Sequence, residues 1–186
     1  IFFLFRKFLN GFADYFNFVD RAETYLPLTA LFLSALLGLL DDWIGLRGRG
    51  GKGGGLSVTQ RLVVFSLVAI LGAVWFYFRL GWDVHYIPFV GTISIGPWYL
   101  LLFAFVLVAT AFSTNETDGL DGLAAGVLFF AFGAMIVVSF VLGRYDLAVM
   151  NAVILGALLA FLWFNIYPAR FFMGDTGSMS LGITLG

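Results

Sequence analysis

Apolar residues run through this sequence in long unbroken blocks, and polar residues gather between the blocks rather than alternating within them. Five blocks read as helices across a bilayer: residues 26–40, 62–80, 95–112, 123–142 and 147–166, with a sixth beginning near Ser178. A crossing of the hydrocarbon core takes about 20 apolar residues, and the first and third blocks are short of that. Inside lipid every backbone group needs an internal partner, so each block is predicted to be a helix. Pro27 falls at the start of the first block, where proline is tolerated. The expected fold is all-α: a polytopic integral membrane helix bundle, about five full spans and part of a sixth, forming a single membrane domain over residues 1–186. No internal repeat at solenoid periods is visible.

The connecting segments differ in character. Residues 1–24 interleave aromatics with Arg6, Lys7, Asp14, Asp20, Arg21 and Glu23, and read either as the tail of an earlier span or as an amphipathic segment at the interface. Residues 45–55 are mostly glycine with Arg47, Arg49 and Lys52, a flexible basic loop. It does not match a phosphate-binding P-loop, because Gly51-Lys52 is followed by Gly53 and the leading position is Leu46. Residues 81–97 hold Asp83, His85, Pro88, Gly91, Gly96 and Pro97, with Thr92-Ile93-Ser94-Ile95 alternating, which predicts a short hairpin between spans.

Composition fixes the environment. Of 186 residues, 61% are hydrophobic and 11% charged, against about 25% charged in soluble domains. Mean hydropathy is +1.00, so the chain is read as an integral membrane protein. A net charge of −1 offers no basic field for nucleic acid. With no cysteine there are neither disulfides nor thiolate metal sites. The one histidine, His85, reads as a polar residue in a loop between spans. Ile1-Phe2-Phe3-Leu4-Phe5 lacks a charged n-region, and residues 181–186 stop inside an apolar run. The chain is therefore expected to be an internal piece of a longer protein.

Counting crossings puts Asp41-Asp42, the 115–122 stretch and the 167–178 stretch on one side of the membrane. Arg47, Arg49, Lys52, Arg61 and Arg170 share that side, against Arg79 and Arg144 opposite. The positive-inside rule makes it cytoplasmic, although Arg6, Lys7 and Arg21 would lie outside and level the count.

Six of the eleven acids fall in those three stretches: Asp41, Asp42, Glu116, Asp118, Asp121 and Asp175. Acids beside a bilayer are costly unless paired, so their clustering marks a candidate site. Asp41-Asp42 fall at the C-terminal end of a predicted helix, where the macrodipole disfavours anions by about 0.3–1 kcal/mol each. A local rule broken twice calls for a compensating cation; the plainer alternative is a solvated helix end. Asp118 and Asp121 precede the fourth span, where one of them is expected to cap it. As a calcium loop this stretch fails, because Leu120 stands where glycine is needed and Gly126 where glutamate is needed. Asn115-Glu116-Thr117 matches a glycosylation sequon but lies on the cytoplasmic side.

Phe172-Met173-Gly174-Asp175-Thr176-Gly177-Ser178 sets glycines around an acid just before a helix. Its N–H groups could point at a phosphate, or Asp175 or Ser178 could simply cap the helix. Oxygen ligands without cysteine or clustered histidine select Mg²⁺, Ca²⁺ or Mn²⁺. Mg²⁺ bound with substrate phosphates takes one or two protein carboxylates. The surplus acids would then act as a base or orient substrate, the equipment for phosphoryl transfer to or from a membrane-bound substrate.

Three stretches together, Asn115-Glu116-Thr117-Asp118-Gly119-Leu120-Asp121-Gly122-Leu123-Ala124, Leu40-Asp41-Asp42 and Phe172 to Ser178, resemble the polyprenyl-phosphate N-acetylhexosamine-1-phosphate transferase superfamily. They are most similar to its bacterial cell-wall branch, the phospho-N-acetylmuramoyl-pentapeptide transferases. The resemblance implies transfer of phospho-MurNAc-pentapeptide from UDP-MurNAc-pentapeptide to undecaprenyl phosphate in the bacterial cytoplasmic (inner) membrane. Lipid I and UMP would form, for peptidoglycan synthesis, with the active site on the cytoplasmic face. It implies Mg²⁺ at Asp175, Asp41 as the base for the lipid phosphate with Asp42 beside it, and Asp118 and Asp121 shaping the nucleotide and metal pocket. Asn115, Gly119 and Leu120 fall in the same substrate-binding stretch. Asn165 and Phe172 match positions that hold uridine, Phe172 by stacking. A homodimer is compatible with it, and both direct transfer and a covalent aspartyl-phosphate remain open.

The chain departs from the cell-wall branch at Gly45, where lysine is usual, and Arg47, Arg49 or Lys52 are the candidates to replace that charge. The family's N-terminal Thr-Pro motif and C-terminal histidine motif fall outside the sequence, so this piece alone is not expected to catalyse. A UDP-GlcNAc (or related) sugar-1-phosphate transferase is the alternative within the superfamily; Thr117 and Thr176 favour the first reading. A cation-coupled transporter is the alternative outside it, disfavoured because the acids gather at one surface and no inverted repeat is visible.

Overall fold

The computed structural model describes residues 22–47, 56–80, 84–87 and 91–186. Residues 1–21, Arg49, Lys52, Asp83 and the side chain of His85 lie outside the described residues, and with them the expectations placed there. In chain order the elements are α1 Ala22–Leu46, α2 Val58–Leu80, β1 Val84–Ile87, β2 Gly91–Ser94, α3 Trp98–Thr117, α4 Leu123–Val141, α5 Tyr145–Asn165 and α6 Gly174–Leu185. Helices α1 to α5 are each long and apolar enough to cross a membrane. The all-α polytopic reading therefore stands, with the one predicted hairpin present: β1 and β2 pair antiparallel, Val84 opposite Ser94 and Ile87 opposite Gly91.

Two helices run further than hydropathy alone implied. Helix α1 begins at Ala22 and continues to Leu46, so Pro27 lies inside its second turn and Asp41-Asp42 lie within its last two turns rather than beyond its end. Helix α3 continues to Thr117, so Asn115 and Glu116 are helical and the connecting turn shrinks to residues 118–122. The reason is common to both: a helix does not stop at the edge of the hydrocarbon, and polar residues extend it wherever they find partners.

The chain divides into two compact units, Ile1–Thr29 with Thr117–Met173, and Ala30–Glu116 with Gly174–Gly186. In the first unit α4 packs along α5, burying Leu128 and Phe132 on one helix and Ala148 and Leu158 on the other. Helix α4 ends at Gly143, whose φ of 72° is open to glycine at little cost. The Gly143 N–H donates to Phe140 O and the Arg144 N–H to Ser139 O, the paired bonds of a Schellman motif.

In the second unit three helices meet in a core of Phe65 and Ala69 from α2, Leu107 and Ala111 from α3, and Met179 and Ile183 from α6. Each pair is four residues apart, so each helix offers one face. Ala69 and Ala111 are fully buried; small residues let membrane helices approach closely where no hydrophobic effect drives them together. The opposite faces carry residues such as Leu71 on α2 and Phe105 on α3, exposed as lipid-facing side chains are. Ala111→Leu in the full-length protein should overpack this core and cost about 1–3 kcal/mol. Phe105→Leu should stay within about 0.5 kcal/mol. Thermal unfolding in detergent compares the two.

Candidate functional site

Asp41, Asp42 and Asp175 are brought together by the last turns of α1 and the first turns of α2 and α6. Gly38 lies one turn before the paired aspartates, and a Cβ there would fall 2.6 Å from Asp175 O. Only a glycine allows α1 to lie this close to the first turn of α6. Asp42 then meets that turn directly: its Oδ2 accepts the Thr176 N–H at 3.1 Å and the Thr176 hydroxyl at 2.6 Å. The first N–H groups of a helix have no partner within it, and Asp42 caps α6 from another helix. Neither Asp175 nor Ser178 is the cap. Ser178 is buried and donates to Gly174 O and to Asn115 Oδ1, each at 2.7 Å, which fastens α3 to α6.

Asp41 faces α2 instead. It is 2% exposed, its Oδ1 accepts the Leu56 N–H, and its Oδ2 lies 2.6 Å from Arg61 Nε. The same guanidinium places Nη1 2.9 Å from Asp175 Oδ2. The Nε contact is an ion pair without hydrogen-bond alignment, and neither Asp41 Oδ2 nor Arg61 Nε has an aligned partner among the described residues. Burial first, then a hydrogen bond to Asp41, raises the Asp175 carboxyl to about 6; the charges of Asp41 and Asp42 push the same way and Arg61 opposes them.

The compensating cation for the paired aspartates is thus Arg61, and Asp42 is stabilised by a helix N-terminus. Arg47, one of the candidates to replace the charge of the lysine usual at Gly45, lies over the Trp43 ring at 3.7 Å. Sequence reasoning used Arg61 only to count positive charge. A usable signal was present, since a cation in the first turn of a helix breaks the macrodipole rule just as acids in the last turn do. The Thr176 N–H is taken by Asp42, so that group is not offered to a phosphate.

Could these residues hold a divalent cation? No three acid, histidine or cysteine side chains converge on one point among the described residues. Asp42 is turned to Thr176, and Arg61 stands between Asp41 and Asp175. Yet three carboxylates against one guanidinium leave a surplus of two negative charges, and a buried oxygen of Asp41 has no aligned donor. A hard oxygen set with one or two carboxylates to offer fits Mg²⁺ bound jointly by protein and phosphates.

The first unit contains the other predicted site residues. Asp118 is half-buried, while Gly119, Leu120 and Asp121 are exposed in the turn between α3 and α4. The N-cap position of α4 is Gly122 at φ 74°, and Asp121 turns to another loop. Asp121 Oδ2 accepts the Ala169 N–H at 3.0 Å. Asn165, 1% exposed, accepts the Gly122 N–H through Oδ1 at 3.1 Å and donates from Nδ2 to Phe171 O at 3.0 Å. One donor and one acceptor fix the orientation of the amide. These bonds tie residues 118–122 to residues 166–173. Phe171 stacks on Phe164 with ring centroids 5.8 Å apart, and Phe172 is half-exposed. Asn165→Leu should strand both backbone groups, at about 1–3 kcal/mol each. Hydrogen exchange should then quicken in residues 118–122 and 166–173 and not in the 57–64 turn of α2.

Comparison with known proteins adds a lineage to this geometry. The family model for glycosyl transferase family 4 matches residues 25–186. Among curated relatives, a phospho-N-acetylmuramoyl-pentapeptide-transferase of Chloroflexus aggregans is 37% identical over 177 residues, covering 91% of this chain and 48% of the relative. One of a Geobacillus species is 43% identical over 167 residues, 86% of this chain and 49% of the relative. A third, from Anoxybacillus flavithermus, is 40% identical over 168 residues, 89% and 51%. The chain spans about half the length of the curated relatives it matches. With a family model covering nearly the whole sequence, the chain belongs to glycosyl transferase family 4.

Proposed function

We propose that the full-length protein transfers phospho-MurNAc-pentapeptide from UDP-MurNAc-pentapeptide to undecaprenyl phosphate, releasing UMP and forming lipid I. The observation that carries this reading is the junction of Asp41, Arg61 and Asp175, with Asp42 capping the helix that bears Asp175. The relatives' shared name, phospho-N-acetylmuramoyl-pentapeptide-transferase, supports the choice of transferred group. The site faces the cytoplasm in this reading, as the distribution of Arg and Lys supports.

Each residue has a distinct task in the proposal. Asp175 holds Mg²⁺, which when bound neutralises phosphate charge. Asp41 is the base for the lipid phosphate, the role the family resemblance implies for it. Asp42, committed to Thr176, positions α6 rather than exchanging protons. Arg61 keeps Asp41 and Asp175 side by side against their mutual repulsion. In the first unit Phe172 offers a ring for the uracil, Gly119 and Leu120 offer exposed backbone and Asp118 a carboxylate beside it. Asp121 and Asn165 hold the two loops that carry them.

Two measurements test the reading. Full-length protein given UDP-MurNAc-pentapeptide, undecaprenyl phosphate and Mg²⁺ should release UMP. Asp175→Asn should lower that rate by about 10²-fold or more, the size of one lost electrostatic stabiliser. UMP release with UDP-GlcNAc alone would assign the protein to the other sugar branch, and wild-type turnover in Asp175→Asn would remove the metal from that residue.

The second measurement uses pH. The Asp175 carboxyl sits at about 6, above its ordinary value, so the fold favours its protonated form. That contribution to stability is full at low pH and is lost as pH rises through about 6. Binding of Mg²⁺ requires the carboxylate and offsets the loss. The gain in Tm on adding Mg²⁺ should therefore be small at pH 5 and larger at pH 7.5, and Asp175→Asn should flatten the difference. An equal gain at both pH values in the wild type would count against the assignment.

A further inference from the structure

Arg61 is held with unusual firmness for a residue that breaks a helix rule. Ser57 and Gln60 form a capping box at the start of α2: the Ser57 N–H donates to Gln60 Oε1 at 2.9 Å and the Gln60 N–H to Ser57 Oγ at 3.3 Å. Arg61 follows immediately, so its backbone is fixed by the cap and its Cα cannot drift along the helix. Its side chain reaches two carboxylates carried by different helices, 2.6 Å from Asp41 and 2.9 Å from Asp175. A guanidinium is a planar fork suited to such a bridge, yet here its Nε and the facing Asp41 Oδ2 are misaligned. Arg61 is also 22% exposed, so the guanidinium has a way out toward water.

Two facts argue that this bridge is not the end state of the site. A purely structural ion pair removed from water repays its desolvation only when the remaining hydrogen bonds are well made, and this one leaves Asp41 Oδ2 poorly served. The guanidinium also cancels one charge of three. A second cation drawn to the remaining charge meets Arg61 Nη1 already on Oδ2 of Asp175.

We infer that Arg61 is an internal competitor for the metal site: it holds Oδ2 of Asp175, and a divalent cation drawn to that carboxylate competes with the guanidinium for it. This rests on the proposed assignment of the metal to Asp175. Arg61 thereby keeps Asp41 and Asp175 together when the cation is away and weakens the cation's apparent affinity. It is a positioning residue with a regulatory effect on metal loading.

The test is Mn²⁺ binding to the full-length protein, read from the free-Mn²⁺ electron paramagnetic resonance signal with no nucleotide or lipid added. Arg61→Gln should bind Mn²⁺ about tenfold more tightly than wild type, since a nearby positive charge is gone, and Asp175→Asn should lose the binding. Unchanged or weaker binding in Arg61→Gln, with binding still lost in Asp175→Asn, overturns the competitor role and leaves the metal at Asp175. Binding retained in Asp175→Asn overturns the metal assignment and this inference with it. Should Arg61→Gln fail to fold, Arg61→Lys takes its place: an ammonium lacks the fork that spans two carboxylates, so affinity should rise a few-fold, and no rise overturns the proposal.

Discussion

Removing a carboxylate from water costs several kcal/mol unless donors and a counter-charge replace the solvent, and Asp41 is 2% exposed. The second unit is arranged around that requirement. The capping box at Ser57 fixes where α2 starts, which sets Leu56 N–H on one oxygen of Asp41 and Arg61 against the other. Gly38 lets α6 approach until Asp175 shares the same guanidinium. The apolar core of Phe65, Leu107 and Met179 holds the three helices at the spacing these contacts need. Without the counter-charge, close packing of α1, α2 and α6 would press two like charges together in a medium of low dielectric.

Adjacent residues on a helix point about 100° apart, and that angle separates the roles of Asp41 and Asp42. Asp41 looks toward α2 and finds a cation. Asp42 looks toward the N-terminus of α6 and finds an N–H and a hydroxyl. As a pair they read identically in the sequence, and either could be taken for base, ligand or cap. Their partners divide them: Asp41 joins the buried charges of Arg61 and Asp175, while Asp42 fastens the start of α6.

The spans were legible because a bilayer imposes length and apolarity on any helix that crosses it, and the hairpin at residues 84–94 was legible from its alternation. The ends of α1 and α3 were not. Hydropathy reports where lipid stops, whereas the helix stops where its last turns lose partners; Asn115, held by Ser178, extends α3 beyond its apolar run. The importance of the three acidic stretches was readable from where the acids fall. That Arg61 would be their counter-ion was hidden because its partners lie 20 residues before it and 114 after it in the chain. Capping at α4 was misjudged for a related reason. An aspartate caps a helix when nothing better is near, but Asp121 has the Ala169 N–H within reach, and Gly122 accommodates the N-cap position without a side chain.

Asn165 shows how a side chain that resemblance links to a ligand can be spent on the fold itself. Resemblance places it among residues that hold uridine, and in the structure Gly122 and Phe171 occupy both ends of its amide. At 1% exposure it has no surface with which to recognise a base. What it determines is the register between two loops: Gly119, Leu120 and Asp121 on one, Ala169 to Phe172 on the other. An uracil ring read by backbone groups and by stacking needs those groups held to within a fraction of an ångström. A buried amide that bridges one N–H and one C=O supplies that with two bonds and no charge. Asn165 therefore acts through loop position: one buried amide sets the geometry of two loops whose Gly119, Leu120 and Phe172 are exposed.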